Sequence, residues 1–139
     1  MRVIKFKGYS IKDNKFVFGY LFKDPITFNY YIIEENSTEY TMNMLLVEKD
    51  SIGQFTGLYN INNKEIYEGD IVHYKELSFD KYEVKYHQGT FIIEPFETDY
   101  VLEDPLEESY SLDTFCIDFE TTKTKFEVVG NSYENNTVC

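Results

Sequence analysis

Several residue types are absent or scarce in this sequence of 139 residues, and each absence narrows the range of possible folds. There is no Trp and no Ala, whereas there are 13 Tyr and 12 Phe. Because Ala is the best helix former and aromatic residues favour strands, an all-α fold is nearly excluded. The two Cys, one of them the final residue, do not make a disulfide framework. The composition therefore indicates a globular, mainly β protein of the length of one ordinary domain.

Long apolar runs are also missing. No run of about 18 apolar residues occurs, so the sequence predicts no membrane-spanning helix and no membrane partner. The first ten residues carry Arg2, Lys5 and Lys7 but lack the apolar core of a secretory signal. We therefore expect a cytoplasmic protein.

Positive charge is missing from one long part of the chain. Thirteen Lys and Arg stand against 25 Asp and Glu, which gives a formal net charge of −12. The stretch from Tyr86 to Thr122, here called the acidic segment, contains ten acids and no Lys or Arg. A chain this acidic is repelled by phosphate backbones and anionic lipid. Direct binding to nucleic acid is therefore not expected.

The acidic segment is the main candidate binding surface. Carboxylates steer a basic partner and interleaved aromatic rings supply binding energy, and dense carboxylates can also stand in for the phosphates of DNA. The alternative is that the acids only keep a Tyr- and Phe-rich protein soluble. The candidate partner-binding residues are Glu94, Glu97, Asp99, Glu103, Asp104, Glu107, Glu108 and Asp113.

Short β-branched and aromatic runs predict strands along the whole chain. Residues 81–86 alternate strictly, as a half-exposed antiparallel strand does, and Asn62-Asn63 and Gln88-Gly89 are turn signals. At most one short helix is expected, near Pro105 to Thr114, a segment that could equally be a loop, in a single domain of residues 1–139. The predicted strands are Val3–Lys7, Lys15–Phe22, Asn29–Ile33, Asn43–Val47, Gly53–Leu58, Asp70–Lys75, Lys81–His87, Thr90–Glu94, Phe115–Phe119 and Lys125–Val129.

A Gly-Asp turn precedes one of these strands. Glu68-Gly69-Asp70 leads directly into Ile71-Val72. Glycine permits a tight turn, and an Asp side chain there caps backbone N–H groups. We therefore interpret Gly69 and Asp70 as structural residues.

Three segments of the chain resemble the YopX family of phage and prophage proteins. The central segment, Ser51–Val72, includes a Gly-Gln-Phe-Thr-Gly-Leu stretch and the run Lys-Glu-Ile-Tyr-Glu-Gly-Asp-Ile-Val. Phe16–Leu21 resembles the early Trp-Val-Tyr-Gly-Tyr stretch of the family, and Glu127–Asn135 resembles its closing Val-Ile-Gly-Asn-Ile-Tyr-Glu-Asn. The sequence departs from the family pattern at Asn62-Asn63, Phe16 and Lys49, and the acidic segment has no counterpart in it.

The resemblance implies a mainly β fold with small barrel-like antiparallel sheets that is often oligomeric, so homo-oligomerisation stays open. It also implies a protein encoded among the accessory genes of temperate phages, acting in a bacterial host cell. It implies no reaction. The residues that we assign to the structural motif are Gly57, Gly69, Asp70, Gly130 and Asn131.

The sequence contains no recognisable catalytic constellation. There is no Gly-x-Ser-x-Gly elbow, and Cys116 lies in an alternating apolar run that favours a core residue over a nucleophile. His73 and His87 fall on adjacent predicted strands and could approach each other, but without a further His or Cys at ligand spacing they are better read as sheet residues. We therefore expect no enzyme activity, no metal site and no cofactor.

Three functional hypotheses follow, in this order. The first is a phage-encoded accessory protein that binds a host or defence protein stoichiometrically, through an acidic face that can mimic nucleic acid. The second is a small β-barrel that sequesters a nucleotide-like or other small molecule among its aromatic residues. The third, and least favoured, is a metal-dependent hydrolase or nuclease that uses the acidic cluster and His73 or His87.

Overall fold

The structure, a computed structural model, describes residues 3–35, 42–96, 109–117, 120 and 122–137. Within these ranges the chain forms two antiparallel sheets and one short α-helix, α1, so the mainly β prediction is confirmed. Neither sheet closes into a barrel over the described residues. The strands are β1 Phe6–Ser10, β2 Lys15–Lys23, β3 Tyr30–Glu34, β4 Met44–Val47, β5 Gly53–Tyr59, β6 Glu65–Tyr67, β7 Asp70–His73, β8 Tyr82–His87, β9 Thr90–Pro95, β10 Tyr110–Ser111 and β11 Glu127–Asn131, with 3-10 turns at Lys49–Ser51 and Leu112–Phe115 and α1 at Ser132–Thr137.

The chain divides into two compact units, Met1–Phe55 and Thr56–Cys139. In the first unit the strands lie in the order β4-β3-β2-β1-β5, and each neighbouring pair is antiparallel. One side of this sheet encloses a small core around Val17, Ile32 and Val47. A Cβ on Gly8 would lie 2.8 Å from Val47, so the close approach of β1 and β4 leaves room only for glycine.

The second unit holds the larger core. Its sheet has the order β10-β9-β8-β7-β11, while β6 pairs with the last part of β5. Tyr82, Ile93, Leu112 and Phe126 are fully buried on one side of this sheet. The rings of Phe115 and Phe126 meet edge to face with centroids 4.9 Å apart. Aromatic side chains thus fill the space that aliphatic residues fill in most cores.

The turn at Gly69 ties three parts of the second unit together. Gly69 has φ +93°, and the Asp70 carboxylate, which is buried, accepts a 2.8 Å hydrogen bond from the Tyr67 N–H. The Gly69 N–H donates to the Val84 carbonyl, and the Ser132 N–H donates to the Gly69 carbonyl, both at 2.8 Å. The turn is therefore fixed between β8 and the beginning of α1.

Two expectations about the C-terminal third are wrong. The predicted strand Phe115–Phe119 is replaced by the 3-10 turn at Leu112–Phe115 and an isolated bridge at Cys116, and residues 118 and 119 lie outside the described residues. Leu112 and Phe115 both pack into the core, and this three-residue spacing suits a 3-10 turn rather than a strand.

The short helix is also not where the sequence suggested. Residues 110–114 form β10 and the start of a 3-10 turn, and residues 105–108 lie outside the described residues. The α-helix is α1 instead, which begins directly after β11. The side-chain oxygen of Asn131 accepts a 2.8 Å hydrogen bond from the Glu134 N–H, so Asn131 caps this helix.

The Gly69 turn predicts the effect of a substitution. Gly69→Val places a β-branched residue at φ +93°, and the strain should lower the free energy of unfolding by about 1–3 kcal/mol. An added Cβ would meet only the Ser132 hydroxyl, at 3.6 Å, so the loss comes from the backbone and not from crowding. Gly69→Asn should lose less, because Asn tolerates positive φ. Equal urea midpoints for wild type and Gly69→Val would contradict this account.

Candidate functional site

A group of charged side chains occupies the outward side of the second sheet. Tyr82 and Val84 point into the core, so Glu83 and Lys85 lie on the opposite side of β8. In the β8–β9 register Glu83 lies directly opposite Glu94. The Lys85 ammonium forms an ion pair with the Glu94 carboxylate. Together with Glu68, which also acts on Glu83 electrostatically, these residues form what we call the carboxylate site.

The hairpin between β8 and β9 sets the register of this site. The two loop residues, Gln88 and Gly89, have φ +49° and +88°, as the tight two-residue turns of antiparallel hairpins require. His87 consequently pairs with Thr90, and the ladder continues without a bulge to Glu83 opposite Glu94. Two like charges therefore face each other across the strands, an arrangement that destabilises a sheet unless it is compensated.

Glu83 is the carboxylate of the site whose pKa is shifted. Its side chain is half-buried, and this burial raises its pKa above the ordinary value. The Lys85 ammonium and a hydrogen bond with Ser132 favour the charged form, whereas Glu94 and Glu68 disfavour it and raise the pKa further. The pKa of Lys85 is raised chiefly by its hydrogen bond to Glu94. The Lys85 ammonium thus interacts with both the Glu83 and the Glu94 carboxylates.

The Gly69 turn and the start of α1 position Glu68 and Ser132 beside Glu83. Glu68 immediately precedes Gly69, and Ser132 is the first residue of α1. Because the Ser132 N–H and the Gly69 carbonyl are hydrogen-bonded, the two residues are held beside β8. The Glu68-Gly69-Asp70 turn and the Gly130-Asn131-Ser132 segment, which lie far apart in the sequence, therefore meet at this site.

The carboxylate site holds more negative than positive groups. Three carboxylates and one ammonium leave a local excess of negative charge, and a guanidinium group supplies the missing positive charge with paired N–H donors. Among the residues that the structure describes, no group of three His, Cys, Asp or Glu is placed to hold a metal ion.

The charge of the chain is divided unequally between the two units. Seven Lys and Arg balance seven Asp and Glu in the first unit, whereas the second has six bases against 18 acids. The second unit therefore carries the whole formal net charge of −12. The carboxylate site lies within the unit whose field attracts cationic partners.

The acidic segment is only partly described by the structure. Glu94 belongs to the carboxylate site, and Asp113 is exposed on the 3-10 turn, where it accepts a 2.6 Å hydrogen bond from the Ser111 hydroxyl. The remaining predicted binding residues lie outside the described residues: Glu97, Asp99, Glu103, Asp104, Glu107 and Glu108.

The motif residues outside the Gly69 turn have backbone roles. Gly57 in β5 has φ +84°, and an added Cβ there would meet no atom within 4 Å. Gly130 and Asn131 pair with Ile71 and Asp70 beyond a register shift in the β7–β11 ladder. That shift turns the chain from β11 into the capped start of α1.

The two histidines do not approach each other. His73 Nδ1 lies 2.7 Å from the Asp80 carbonyl oxygen. Val72 pairs with Tyr82, so His73 reaches the β8 ladder near Lys81, six residues from His87. At about 3.3 Å per residue this separates the two histidines by roughly 20 Å. The register therefore places the two histidines near opposite ends of β8, and both are strand residues, as the sequence favoured.

Each unit also has an open cleft, and neither cleft is lined by a residue of the carboxylate site. The cleft in the first unit has a volume of about 340 Å³, and the cleft in the second unit about 330 Å³. Both mix apolar surface with charged groups of either sign. Their lining residues are Lys15, Phe16, Val17, Phe18, Glu34 and Glu35 in the first unit, and Tyr59, Asn63, Glu120, Thr122 and Lys123 in the second.

Sequence reasoning missed Glu68, Glu83, Lys85 and Ser132. The strict alternation of residues 81–86 already places Glu83 and Lys85 on one face, and a two-residue Gln88-Gly89 turn fixes Glu94 as the partner of Glu83. Both signals were available before the structure. The concentration of acids after residue 86 pointed to the acidic segment as the binding surface, whereas Glu83 and Lys85 lie on the strand just before it.

Comparison with known proteins places this geometry in a family. The family model described as YopX protein matches residues 5–138. A search of functionally curated proteins finds none that matches. Among solved structures, protein EF1440 from Enterococcus faecalis is similar with a TM-score of 0.50 and 18% identity, over 99% of each chain. At this identity the likeness concerns the fold alone.

The carboxylate site predicts a pH-dependent stability. Because the pKa of Glu83 is higher in the folded than in the unfolded protein, its contribution is most favourable below the ordinary value of 4.5 and declines as pH rises through the raised pKa. Glu83→Gln should therefore raise the free energy of unfolding at pH 7 and leave it nearly unchanged near pH 4.

Urea denaturation at a series of pH values measures this effect. Glu127→Gln, at an exposed position on β11, removes the same charge outside the site and is the matched control. A Glu83→Gln variant that is less stable than wild type at pH 7 would show that the Glu83 charge stabilises the fold, contrary to this account.

Proposed function

The chain belongs to the YopX family, and we propose that it is a stoichiometric binding protein that captures a basic partner protein at the carboxylate site. The observation that carries the proposal is Glu83. Its carboxylate is half-buried and has two other carboxylates, Glu94 and Glu68, as neighbours, and its pKa is raised. Carboxylates with a perturbed pKa concentrate at functional sites, because the fold retains them there at a cost in stability. The proposed action is binding without chemical turnover.

An arginine side chain is the proposed ligand group. A guanidinium between Glu83 and Glu94 would give Glu83 the counter-charge that Lys85 provides only in part. Such charge-assisted, paired hydrogen bonds contribute about 1.5–3 kcal/mol each when one partner is ionised. Binding would in turn favour the charged form of Glu83, so affinity should fall as pH falls through its raised pKa.

The family supports a finer proposal about the partner. The resemblance to phage and prophage proteins suggests that the protein acts in the bacterial cytoplasm against a host or defence protein. The second unit has 18 acids against six bases and is therefore strongly negative, like the phosphate backbone that a nucleic-acid-binding surface normally contacts. We propose that the partner is a protein whose basic surface binds nucleic acid, and that this chain occupies that surface.

The guanidinium proposal is tested with peptides of defined charge. An arginine-rich peptide should bind in fluorescence anisotropy at low salt, and a lysine-only peptide of equal charge should bind more weakly, because it lacks the paired donors. The double variant Glu83→Gln/Glu94→Gln should weaken the arginine peptide roughly 10- to 100-fold, the factor that 1.5–3 kcal/mol produces.

The control for this experiment is Glu127→Gln/Glu134→Gln, which removes two exposed carboxylates from the same unit and leaves the site intact. It should weaken binding only slightly, as a general loss of charge does. Equal losses of affinity in the two double variants would show that peptide binding depends on net charge and not on the carboxylate site, and would overturn the proposal.

Capture from a bacterial lysate tests for a physiological partner. The immobilised protein should retain a defined protein at low salt, in a 1:1 complex, and lose it as salt is raised or when Glu83 and Glu94 are changed to Gln. Retention of the same proteins by wild type and the double variant would contradict the proposed role of the site.

The rest of the acidic segment has its own test. Changing Glu103, Asp104, Glu107 and Glu108 to their amides removes four charges and nearly preserves shape. Stability should be neutral or slightly improved, since clustered like charges repel. Partner capture should weaken, mainly through slower association and most clearly at low salt. Unchanged capture by a well-folded amide variant would leave these four acids as a solubility device.

A further inference from the structure

The outer side of β4, at the edge of the first sheet, carries backbone hydrogen-bonding groups that point away from the sheet. The Glu34 N–H donates to the Asn43 carbonyl at 3.0 Å, which makes these two residues a hydrogen-bonded pair just before β4. Because such pairs recur at every second position of an antiparallel ladder, the odd-numbered residues of β4 bond to β3. Met44 and Leu46 therefore direct their N–H and C=O groups outward.

This outer edge is closed at one end. The Glu48 N–H donates to the Tyr9 carbonyl at 3.0 Å, so β1 meets the chain directly after β4. Before that point, over the part of the chain that the structure describes, no strand pairs with the outer side of β4. The side chains of Met44 and Leu46 are 47% and 54% exposed. The edge is thus accessible along the two residues whose backbone groups point outward.

β4 lacks the features that protect the other strand edges of this chain. β10 has only two residues, and β11 begins with Glu127 and contains a register shift. β6 has three residues, of which Glu65 is charged. The sequence of β4, Met-Leu-Leu-Val, contains neither a charge nor a proline, and its register with β3 is continuous. An edge of this kind readily accepts another strand.

We propose that the outer edge of β4 binds an extended segment of another protein, which adds to the sheet as a further strand. The segment exchanges backbone hydrogen bonds with Met44 and Leu46. Its alternate side chains pack on the apolar side chains of these two residues and of Ile33 and Tyr31, which lie opposite them on β3. The interaction involves no residue of the carboxylate site, so it is a second binding surface beyond the function proposed above.

The charges of the chain select a foreign, basic segment. Two copies of the chain repel each other, because each carries a formal net charge of −12. Carboxylates also stand at both ends of the uncharged strand, since Glu34 pairs with Asn43 at one end and the exposed Glu48 follows the other. Lys49 belongs to the 3-10 turn that comes next. A partner segment with apolar residues in its paired stretch and Lys or Arg at its ends therefore complements the edge.

A displayed library of linear peptides of random sequence is the probe that tests the proposal. Peptides selected on the wild-type protein should have apolar residues at alternate positions, no proline in the paired stretch and a net positive charge. In a synthetic copy of a selected peptide, N-methylation should weaken binding roughly 10-fold or more where an N–H faces β4, and less than about 2-fold at the positions between. A library that enriches no such peptide, or losses that do not alternate, would overturn the proposal.

Leu46→Pro removes the outward N–H from the protein. Proline is tolerated on an edge strand where its nitrogen faces solvent, so the variant should remain folded by circular dichroism. It should bind the selected peptide roughly 10-fold or more weakly, since it loses a hydrogen bond and places a ring against the peptide backbone. Leu46→Val keeps the N–H and an apolar side chain, and this matched control should bind nearly like wild type. Equal binding by a folded Leu46→Pro variant would contradict the proposal.

Hydrogen exchange provides a readout that requires no variant. In the free protein the Met44 and Leu46 amides should exchange rapidly, whereas the Leu45 and Val47 amides, which bond to β3, should be protected. The selected peptide should protect Met44 and Leu46 and leave the other two unchanged. Protection of Met44 and Leu46 in the free protein would show that a second copy, if it rises with protein concentration, or another segment of this chain, if it does not, already occupies the edge. Either result, or bound peptide that leaves these two amides unprotected, would overturn the proposal.

Discussion

The hydrogen bonds that clamp Gly69 are the constraint on which the second unit depends. Its N–H reaches the Val84 carbonyl and its carbonyl receives the Ser132 N–H, each at 2.8 Å. The positive φ of Gly69 makes both bonds compatible with the entry into β7, and the buried Asp70 carboxylate holds the turn from the inside. Because this clamp joins β7, β8 and α1, it also brings Glu68 and Ser132 to Glu83. The Glu68-Gly69-Asp70 part of the family motif thus builds the frame that holds the carboxylate site.

The sequence predicted elements well wherever a residue pattern of period two stood between clear turn signals. β2, β5, β8 and β9 begin or end within one residue of their predicted bounds, since alternation and Gly or Asn turns define them locally. The error at Phe115–Phe119 has a different origin: Leu112 and Phe115 are recruited by the core at a spacing of three. Core packing is a tertiary effect that local propensity does not contain.

The candidate site shows the same limit. Glu83 and Lys85 are visible as an outward pair in the sequence, and the Gln88-Gly89 turn fixes Glu94 across from Glu83. The contributions of Glu68 and Ser132 depend on the meeting of two segments more than 60 residues apart in the sequence, and no local pattern reports that contact. Net charge alone pointed to the acidic segment. Glu83 is distinguished instead by its burial and by the neighbouring carboxylates, which only the structure shows.

The central claim is that Glu83 is held in an unfavourable charge state that a cationic partner relieves. Carbon-detected NMR titration of the Glu83 carboxyl group, with and without saturating arginine-rich peptide, tests it most directly. The account predicts a pKa above the ordinary value of 4.5 in the free protein and a distinctly lower pKa in the complex. A Glu83 carboxyl group that titrates at its ordinary value in the free protein, or whose titration the bound peptide does not change, would contradict the account.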